Sequence, residues 1–280
     1  MHNKTSKIHK SKFFLRIHGT VIFHYGRLPF LLHKVLNCRK YVKKRRIASL
    51  NPKLLSRTEV YKYFQTQFRF CSSQILWKHN SYFKQLERGF GEPAFHAAWF
   101  QIFAEFTPKK CLEIGVYRGQ IISLWSILSN KFGFSCSIYG ITPLSPIGDS
   151  VSQYIDIDFA TDIQTNFKFF KLPEATIVAQ PSSSLSAKEV IRNGDWDLIY
   201  IDGSHDYSDV YSDYVCALSG LAPSGILVLD DSSLFLDEIK DEKTFLGHPG
   251  PSLICKDLAM NELNHILSVG HLNFFQQKSV

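Results

Sequence analysis

Residues 111–119 read Cys-Leu-Glu-Ile-Gly-Val-Tyr-Arg-Gly, a short apolar run interrupted by one acid and followed by two glycines. A run this short, bounded by glycine, reads as a buried strand, and the helical pattern from residue 120 onward makes the segment a strand–loop–helix unit. In an open parallel sheet, ligands bind beyond the carboxyl ends of the strands, and a helix N-terminus there supplies partial positive charge. Gly115 and Gly119 permit the tight turn and close approach that a side chain would block. The loop lacks the full Gly-x-Gly-x-x-Gly of dinucleotide binders, so its meaning depends on its surroundings.

Working outward, the strand at 110–114 is followed by a helix over 120–130 and a strand over 135–141. Further strands are expected at 175–179, 196–201 and 225–229, each short, apolar and separated by helical or polar segments. Such alternation predicts a parallel sheet with crossover helices. The tail adds a helix around 252–263 and a last strand over 272–275 at a sheet edge. Upstream, 59–106 is helical in pattern, with aromatics at Tyr61, Phe64 and Phe68. A second group, Phe95, Trp99 and Phe103 with Ala98, follows the helix-start Pro93. These aromatics are expected to belong to the core, capping the sheet or covering the site. No internal repeat or low-complexity segment breaks the pattern.

Charge divides the chain of 280 residues unevenly. Met1 to Thr58 holds 15 Lys and Arg and no acid, leaving 17 basic against 25 acidic residues in the other 222. This predicts a basic N-terminal extension over 1–58 and a globular body over 59–280, made of a helical lead-in (59–106) and a core (107–280). The run Lys43-Lys-Arg-Arg46, interleaved with apolar residues, suits a solvated extension or an anionic membrane surface better than nucleic acid. No stretch approaches the roughly 18 apolar residues of a spanning helix. The six cysteines are scattered without a Cys-x-x-Cys pair, which argues against a zinc ribbon or a disulfide framework and for reduced thiols. The expectation is a cytoplasmic protein, peripheral at a membrane if the arm binds one, with homo-oligomers left open.

Four segments stand in a telling order: Leu-Glu-Ile-Gly-Val-Tyr-Arg-Gly (112–119), Tyr-Gly-Ile-Thr-Pro (139–143), Asp-Leu-Ile-Tyr-Ile-Asp-Gly-Ser-His-Asp-Tyr (197–207) and Leu-Ala-Pro-Ser-Gly-Ile-Leu-Val-Leu-Asp-Asp (221–231). Together they resemble the class I S-adenosylmethionine-dependent methyltransferases, most closely the small-molecule and sugar O-methyltransferase-like group with Ile-Asp-Gly-x-His-x-Tyr and double-Asp motifs. The resemblance covers 107 to about 233. It implies an α/β, Rossmann-like fold: a mostly parallel seven-stranded sheet with the last strand antiparallel and helices on both faces, here behind a helical N-terminal extension. It places S-adenosyl-L-methionine at the glycine loop and an acceptor beside it. Glu113, Gly115, Tyr117 and Gly119 then line the methionine part, Gln180 or Ser182 meets the adenine, and Asp202 closes the site. One departure is Thr142, where the family has an acid for the ribose hydroxyls; a threonine offers only a neutral hydrogen bond. Asp149 is the nearest acid in the following loop, and its position after Gly148 also reads as a plain turn.

Asp202 ends one strand and Asp230-Asp231 end the next, so the fold brings three carboxylates to one sheet edge. Unpaired, such charges raise one another's pKa unless a proton or cation intervenes. Hard oxygen donors at this density suit Mg²⁺ or a similar divalent cation, and the resemblance implies a metal at Asp202, Asp230 and Asp231. The chemistry expected is metal-assisted O-methylation of a small polar acceptor such as a sugar or glycan precursor, by in-line displacement. His205 is the first candidate for general base or further ligand, and His248, in a Gly/Pro-rich loop, the second. Two other readings stay open: an RNA methyltransferase that tracks phosphates with the basic arm, and a catalytically degenerate cofactor-binding module. Against the first, the place of an Asn/Asp-Pro-Pro-aromatic run is taken by Ile-Asp-Gly-Ser-His-Asp-Tyr.

Overall fold

The computed structural model of the chain describes residues 45–85, 88–152, 155–236 and 245–278. The basic extension up to residue 44, with Lys43 and Lys44 of its basic run, lies outside the described residues. Seven strands form one sheet in the order β3-β2-β1-β4-β5-β7-β6: β1 Lys110–Ile114, β2 Ser137–Thr142, β3 Thr176–Ala179, β4 Trp196–Ile201, β5 Leu221–Leu229, β6 Asn264–Val269 and β7 Leu272–Gln276. The first five pair in parallel, and β7 runs antiparallel to both β5 and β6. This is the expected Rossmann-like α/β architecture. The strand not anticipated is β6, whose first half is only partly buried. Its pairing to β7 across Gly270, rather than any periodicity, makes it a strand.

Three helices lead in: α1 Arg57–Cys71, α2 Gln74–Gln85 and α3 Pro93–Phe106. The crossovers are α4 Gln120–Phe132, α5 Phe159–Phe170, α6 Leu185–Arg192 and α7 Tyr207–Gly220. After β5 the chain forms α8 Pro249–Ile254, a wide π-type turn Cys255–Ala259 and a last turn Met260–Glu262, so the expected tail helix is broken in three. A capping box starts α1, in which Ser56 and Glu59 satisfy each other's backbone N–H groups; such a cap contributes about 1 kcal/mol. The packed body reaches back past Thr58, because Ile47 and Leu50 are buried in the core.

Alternation along the strands splits that core in two. Leu112 and Ile114 face one cluster, built with Ala187, Ile191, Val210, Tyr214 and Ile254 from α6, α7 and α8. Cys111, Tyr200 and Phe274 face the other, built with the lead-in helices, α4 and α5. Trp99 lies at its centre, edge-to-face with Trp125, Tyr200 and Phe274 at 5.3 Å between ring centroids. Each such pair adds about 0.5–1.5 kcal/mol beyond area burial. The lead-in aromatics are therefore core, as their spacing predicts.

Among the described residues no helix is long and apolar enough to cross a membrane. The expectation of reduced thiols is corrected at one position: Cys71 is disulfide-bonded, while Cys111, Cys136, Cys216 and Cys255 are free. Spacing rules detect clustered frameworks and miss an isolated bond.

Candidate active site

The glycine loop leaves β1 at Gly115, whose φ of 102° is reached cheaply only without a side chain. A Cβ here would stand 2.1 Å from the Asp202 carbonyl oxygen. Gly115 is thus required by the close approach of the β1 and β4 ends, where Asp202 N–H donates to the Ile114 carbonyl at 2.8 Å. Beyond these strand ends lies a cavity of about 490 Å³, within the usual size of a small-molecule site.

Of the residues expected at the cofactor, Gly115, Tyr117, Thr142, Ser182 and Asp202 line this cavity together with Asp149. Glu113 and Gly119 lie behind the loop rather than in the lining, and Gln180 is exposed on the surface outside it. Tyr117 is held by stacking on Phe90 at 5.8 Å and by Phe159 at 5.7 Å. The Thr142 hydroxyl accepts from Leu144 N–H at 3.3 Å. Ser145, three residues on, also lines the cavity, with a buried Oγ that has no partner among the described residues. Glu113 is buried on the α4 side, where burial raises its pKa to about 8 against the lowering effect of Ile122 N–H. Among the described residues its Oε2 has no partner either. A cofactor-sized cavity bordered by the unpaired Ser145 Oγ fits a polar ligand that supplies the missing hydrogen bond.

The ends of β4 and β5 carry a second feature, a chain of acids and imidazoles. Asp149 accepts from the N–H groups of Val151 and Ser152 at 3.0 and 2.7 Å and holds His205 through both its backbone N–H and Nδ1, each at 2.7 Å. Asp149 thus takes the turn position read for it, and capping the turn aims its carboxylate at His205 rather than leaving it for a ribose. His205 Nε2 lies 2.8 Å from Asp231 Oδ2. His271 Nδ1 lies 2.7 Å from Asp230 Oδ1 and 2.8 Å from Asp231 Oδ1, and Tyr200 Oη donates to Asp230 Oδ2 at 2.6 Å. His248 Nε2 stands farther off, 3.8 Å from Asp231 Oδ2.

Local structure explains each position. Asp231 sits at a φ of 47°, a left-handed conformation that costs a non-glycine residue about 1–3 kcal/mol and is held here by its surroundings. Its carbonyl accepts from His248 N–H at 2.8 Å, which docks the Gly247-His248 loop on the strand end. His271 comes from the β6–β7 hairpin tip. Since Leu229 pairs with Asn273, two more residues of antiparallel progression bring 271 opposite 231. The lead-in clamps this tip: Arg57 Nη1 donates to the Gly270 and Ser233 carbonyls at 3.2 and 3.4 Å, and Phe95 packs edge-on against the His271 ring at 4.8 Å. Sequence reading missed His271; its signal is Gly270 between two short apolar runs, a hairpin pattern.

These contacts sort the imidazoles. His271, between two carboxylates, overcomes burial and is raised to about 10. Burial likewise opposes charge on His205, but hydrogen bonding and charge from Asp231 and Asp149 raise it above its ordinary value. His248 is lowered, by partial burial first and then by the positive field of His205. Near neutral pH His271 is therefore an imidazolium cation pinned in place, while His205 is shifted toward its charged form and His248 toward its neutral form. Asp202 is pushed well up, by burial and then by Asp230, which favours its protonated form.

Donor atoms of Asp230, Asp231 and His271, and of His205, Asp231 and His248, cluster within 4.8 Å of one another in each group. Such oxygen and imidazole sets fit a divalent cation. Asp202 contributes to neither group, although it borders, with His205, Asp230 and Asp231, a void of about 10 Å³.

Residues 112–232 match a family model described as a methyltransferase domain. No curated protein matches the chain in sequence. Among solved structures, a candidate caffeoyl-CoA O-methyltransferase from Staphylococcus aureus superposes with a TM-score of 0.56 at 13% identity, covering 78% of this chain and 99% of that one. An O-methyltransferase from Bacillus cereus, in complex with SAH, gives 0.52 at 13% identity over 79% and 99%. TomG from Streptomyces achromogenes, an O-methyltransferase in complex with SAM, gives 0.51 at 13% identity over 80% and 100%. At these identities the likeness is one of fold.

Proposed function

We propose that this chain, whose residues 112–232 match a methyltransferase domain, is a class I, S-adenosylmethionine-dependent enzyme that methylates a hydroxyl of a small polar acceptor, a sugar or glycan precursor being the first candidate. The observation that supports this reading is that Asp149, in the lining of the glycine-loop cavity, holds His205 at 2.7 Å, and His205 in turn meets Asp231 and His248 in one cluster. When bound, S-adenosylmethionine supplies a methyl group made electrophilic by its sulfonium. Ser145 Oγ, unpaired among the described residues, is the group through which the chain would orient it, with Ser145 and Thr142 together taking the place of the missing ribose acid. Asp149 is fully engaged by its turn and by His205, so it does not serve the ribose.

The acceptor proton goes to His248 Nε2, whose lowered pKa leaves it free to accept; general base catalysis of this kind contributes about 10²–10⁴-fold. His205 acts as a positioning residue. Held by Asp149 and Asp231, it fixes the loop that carries Asp202 and Gly203 and gives positive potential beside the developing oxyanion. Asp230, Asp231 and His271, with His205 and His248 adjoining, would hold a divalent cation, which would acidify a bound hydroxyl. Without one, the His271 imidazolium neutralises the two carboxylates.

Calorimetry with S-adenosylmethionine tests the first half of the proposal. Binding at micromolar concentration is expected, and no heat with or without Mg²⁺ overturns it. Labelled cofactor offered with glycosides, phenols and RNA tests the acceptor; transfer to RNA alone refutes the small-acceptor reading. Loss of turnover on chelation supports the cation, and full retention removes it.

A further inference from the structure

We infer that Cys111 and Cys136 are an oxidative modification site, a thiol pair that closes as a disulfide and braces β1 to β2 at the end of the sheet away from the glycine loop. Cys111 is the second residue of β1 and is fully buried, while Cys136 immediately precedes β2 and is half-buried. Their Sγ atoms stand 3.4 Å apart. Both side chains lie on one side of the sheet, Cys111 within the cluster under the lead-in helices and Cys136 packed against it. The backbone that carries them is already fixed. β1 and β2 pair in parallel from Lys110 and Ser137 onward, and Ser137 N–H donates to the Lys109 carbonyl at 2.7 Å. Asp197 Oδ2 accepts from the N–H groups of Lys109 and Lys110 at 2.8 and 3.0 Å. Closing the gap to a covalent distance of about 2.05 Å therefore asks for side-chain rotation rather than strand movement.

Cys216 and Cys255, the other described free thiols, lie in the cluster on the opposite face of the sheet, and the bond at Cys71 shows that oxidised cysteine already belongs to this fold. Access sets the order of events. Cys136, the reachable member, loses its proton and attacks one sulfur of a small disulfide oxidant such as oxidised glutathione, forming a mixed disulfide and releasing one glutathione thiolate. Cys111 then loses its proton, attacks Cys136 Sγ and expels the second glutathione as thiolate. The two leaving thiolates take up the two protons, so the pair is oxidised and the glutathione disulfide is reduced to two thiols. Burial first, and then Cys136 and Asp197, hold the Cys111 thiol well above its ordinary pKa, which makes the second step the slow one. The same burial leaves a reductant only the Cys136 sulfur of the closed bond to attack. Linking residues 111 and 136 restricts the unfolded chain and so stabilises the fold.

The test incubates the full, folded chain with oxidised glutathione, unfolds it in excess iodoacetamide to block the remaining thiols, and maps the cysteines by mass spectrometry after proteolysis. A peptide pair linked through Cys111 and Cys136 is expected as the main new product from the folded chain, giving way to mixed pairings with Cys216 and Cys255 when oxidation is carried out in urea. In thermal melts, oxidation should raise the midpoint of the wild type by about 5 °C more than that of Cys136→Ser, which leaves Cys71 untouched; Cys136→Ala takes its place if the serine variant does not fold. Cys111 found blocked by iodoacetamide while Cys136 carries glutathione, or a Cys111–Cys136 link that forms only in urea, overturns the inference. An equal midpoint gain in the wild type and the variant overturns the brace.

Discussion

Replacing His271 by leucine tests the central electrostatic arrangement of the site. The His271 ring holds two adjacent carboxylates at 2.7 and 2.8 Å, and the side chains concerned are only 13–15% exposed, so solvent screens little of the interaction. Its rise from 6.5 to about 10 corresponds to roughly 5 kcal/mol at most, and breaking a buried ion pair by removing one partner costs about 3–5 kcal/mol. His271→Leu is therefore expected to lose about 3–5 kcal/mol at pH 7 in urea unfolding. The sign in pH follows from the direction of the shift. A histidine raised in the folded state contributes fully below its ordinary 6.5, and that contribution declines as pH rises through about 10. The wild-type advantage over His271→Leu should hence shrink between pH 7 and pH 10. It should also narrow near pH 5, where the orphaned Asp230–Asp231 pair can take up a proton. If a divalent cation can occupy the carboxylates, Mg²⁺ or Mn²⁺ will stabilise the variant more than the wild type. A loss below about 1 kcal/mol at pH 7, in the range of an exposed ion pair, would refute the claim that His271 is the structural counter-ion.

Three further outcomes are expected. His248→Gln should lower kcat about 10²–10⁴-fold with S-adenosylmethionine affinity retained, and the acid limb of the wild-type rate profile should lie below pH 6.5, because burial and His205 depress this imidazole; an unchanged kcat removes His248 as base. Asp149 is lowered to about 2, its turn and His205 hydrogen bonds outweighing burial, so its contribution is present above 3.8 and lost as pH falls through about 2. Asp149→Asn should accordingly cost about 1–3 kcal/mol at pH 7, with a deficit that narrows toward pH 3 in acid-unfolding curves; an equal deficit at both pH values counts against the ionic role. Gly115→Ala should destabilise by more than about 2 kcal/mol in thermal melts, combining left-handed strain with the clash on the Asp202 carbonyl. A melt within a degree of wild type would show that the two strand ends can part freely.

The fold was legible because each of its signals is local. Apolar runs closed by glycine or acid at 111–119, 197–203 and 225–231 mark the parallel strands, and the order of those motifs carries the family likeness. The three strand-end acids follow from the same reading, since parallel strands must all end on one edge. The strand β6 was missed because its residues show no clear alternation, and the disulfide at Cys71 because no spacing pattern marks an isolated bond. Distance along the chain explains the imidazoles. Sequence proximity ranks His205 first and His248 second and gives no reason to choose His271, which arrives from a hairpin tip forty residues after Asp231 through the antiparallel register of β7 on β5. Only once those rings meet the carboxylates do their pKa values diverge, His205 being raised and His248 lowered, which is why the proposal puts His248 before His205 as base. Composition and pattern determine which residues line the sheet edge; which of them carry charge is decided by who stands next to whom, because pKa is set by burial and neighbouring charge rather than by residue type.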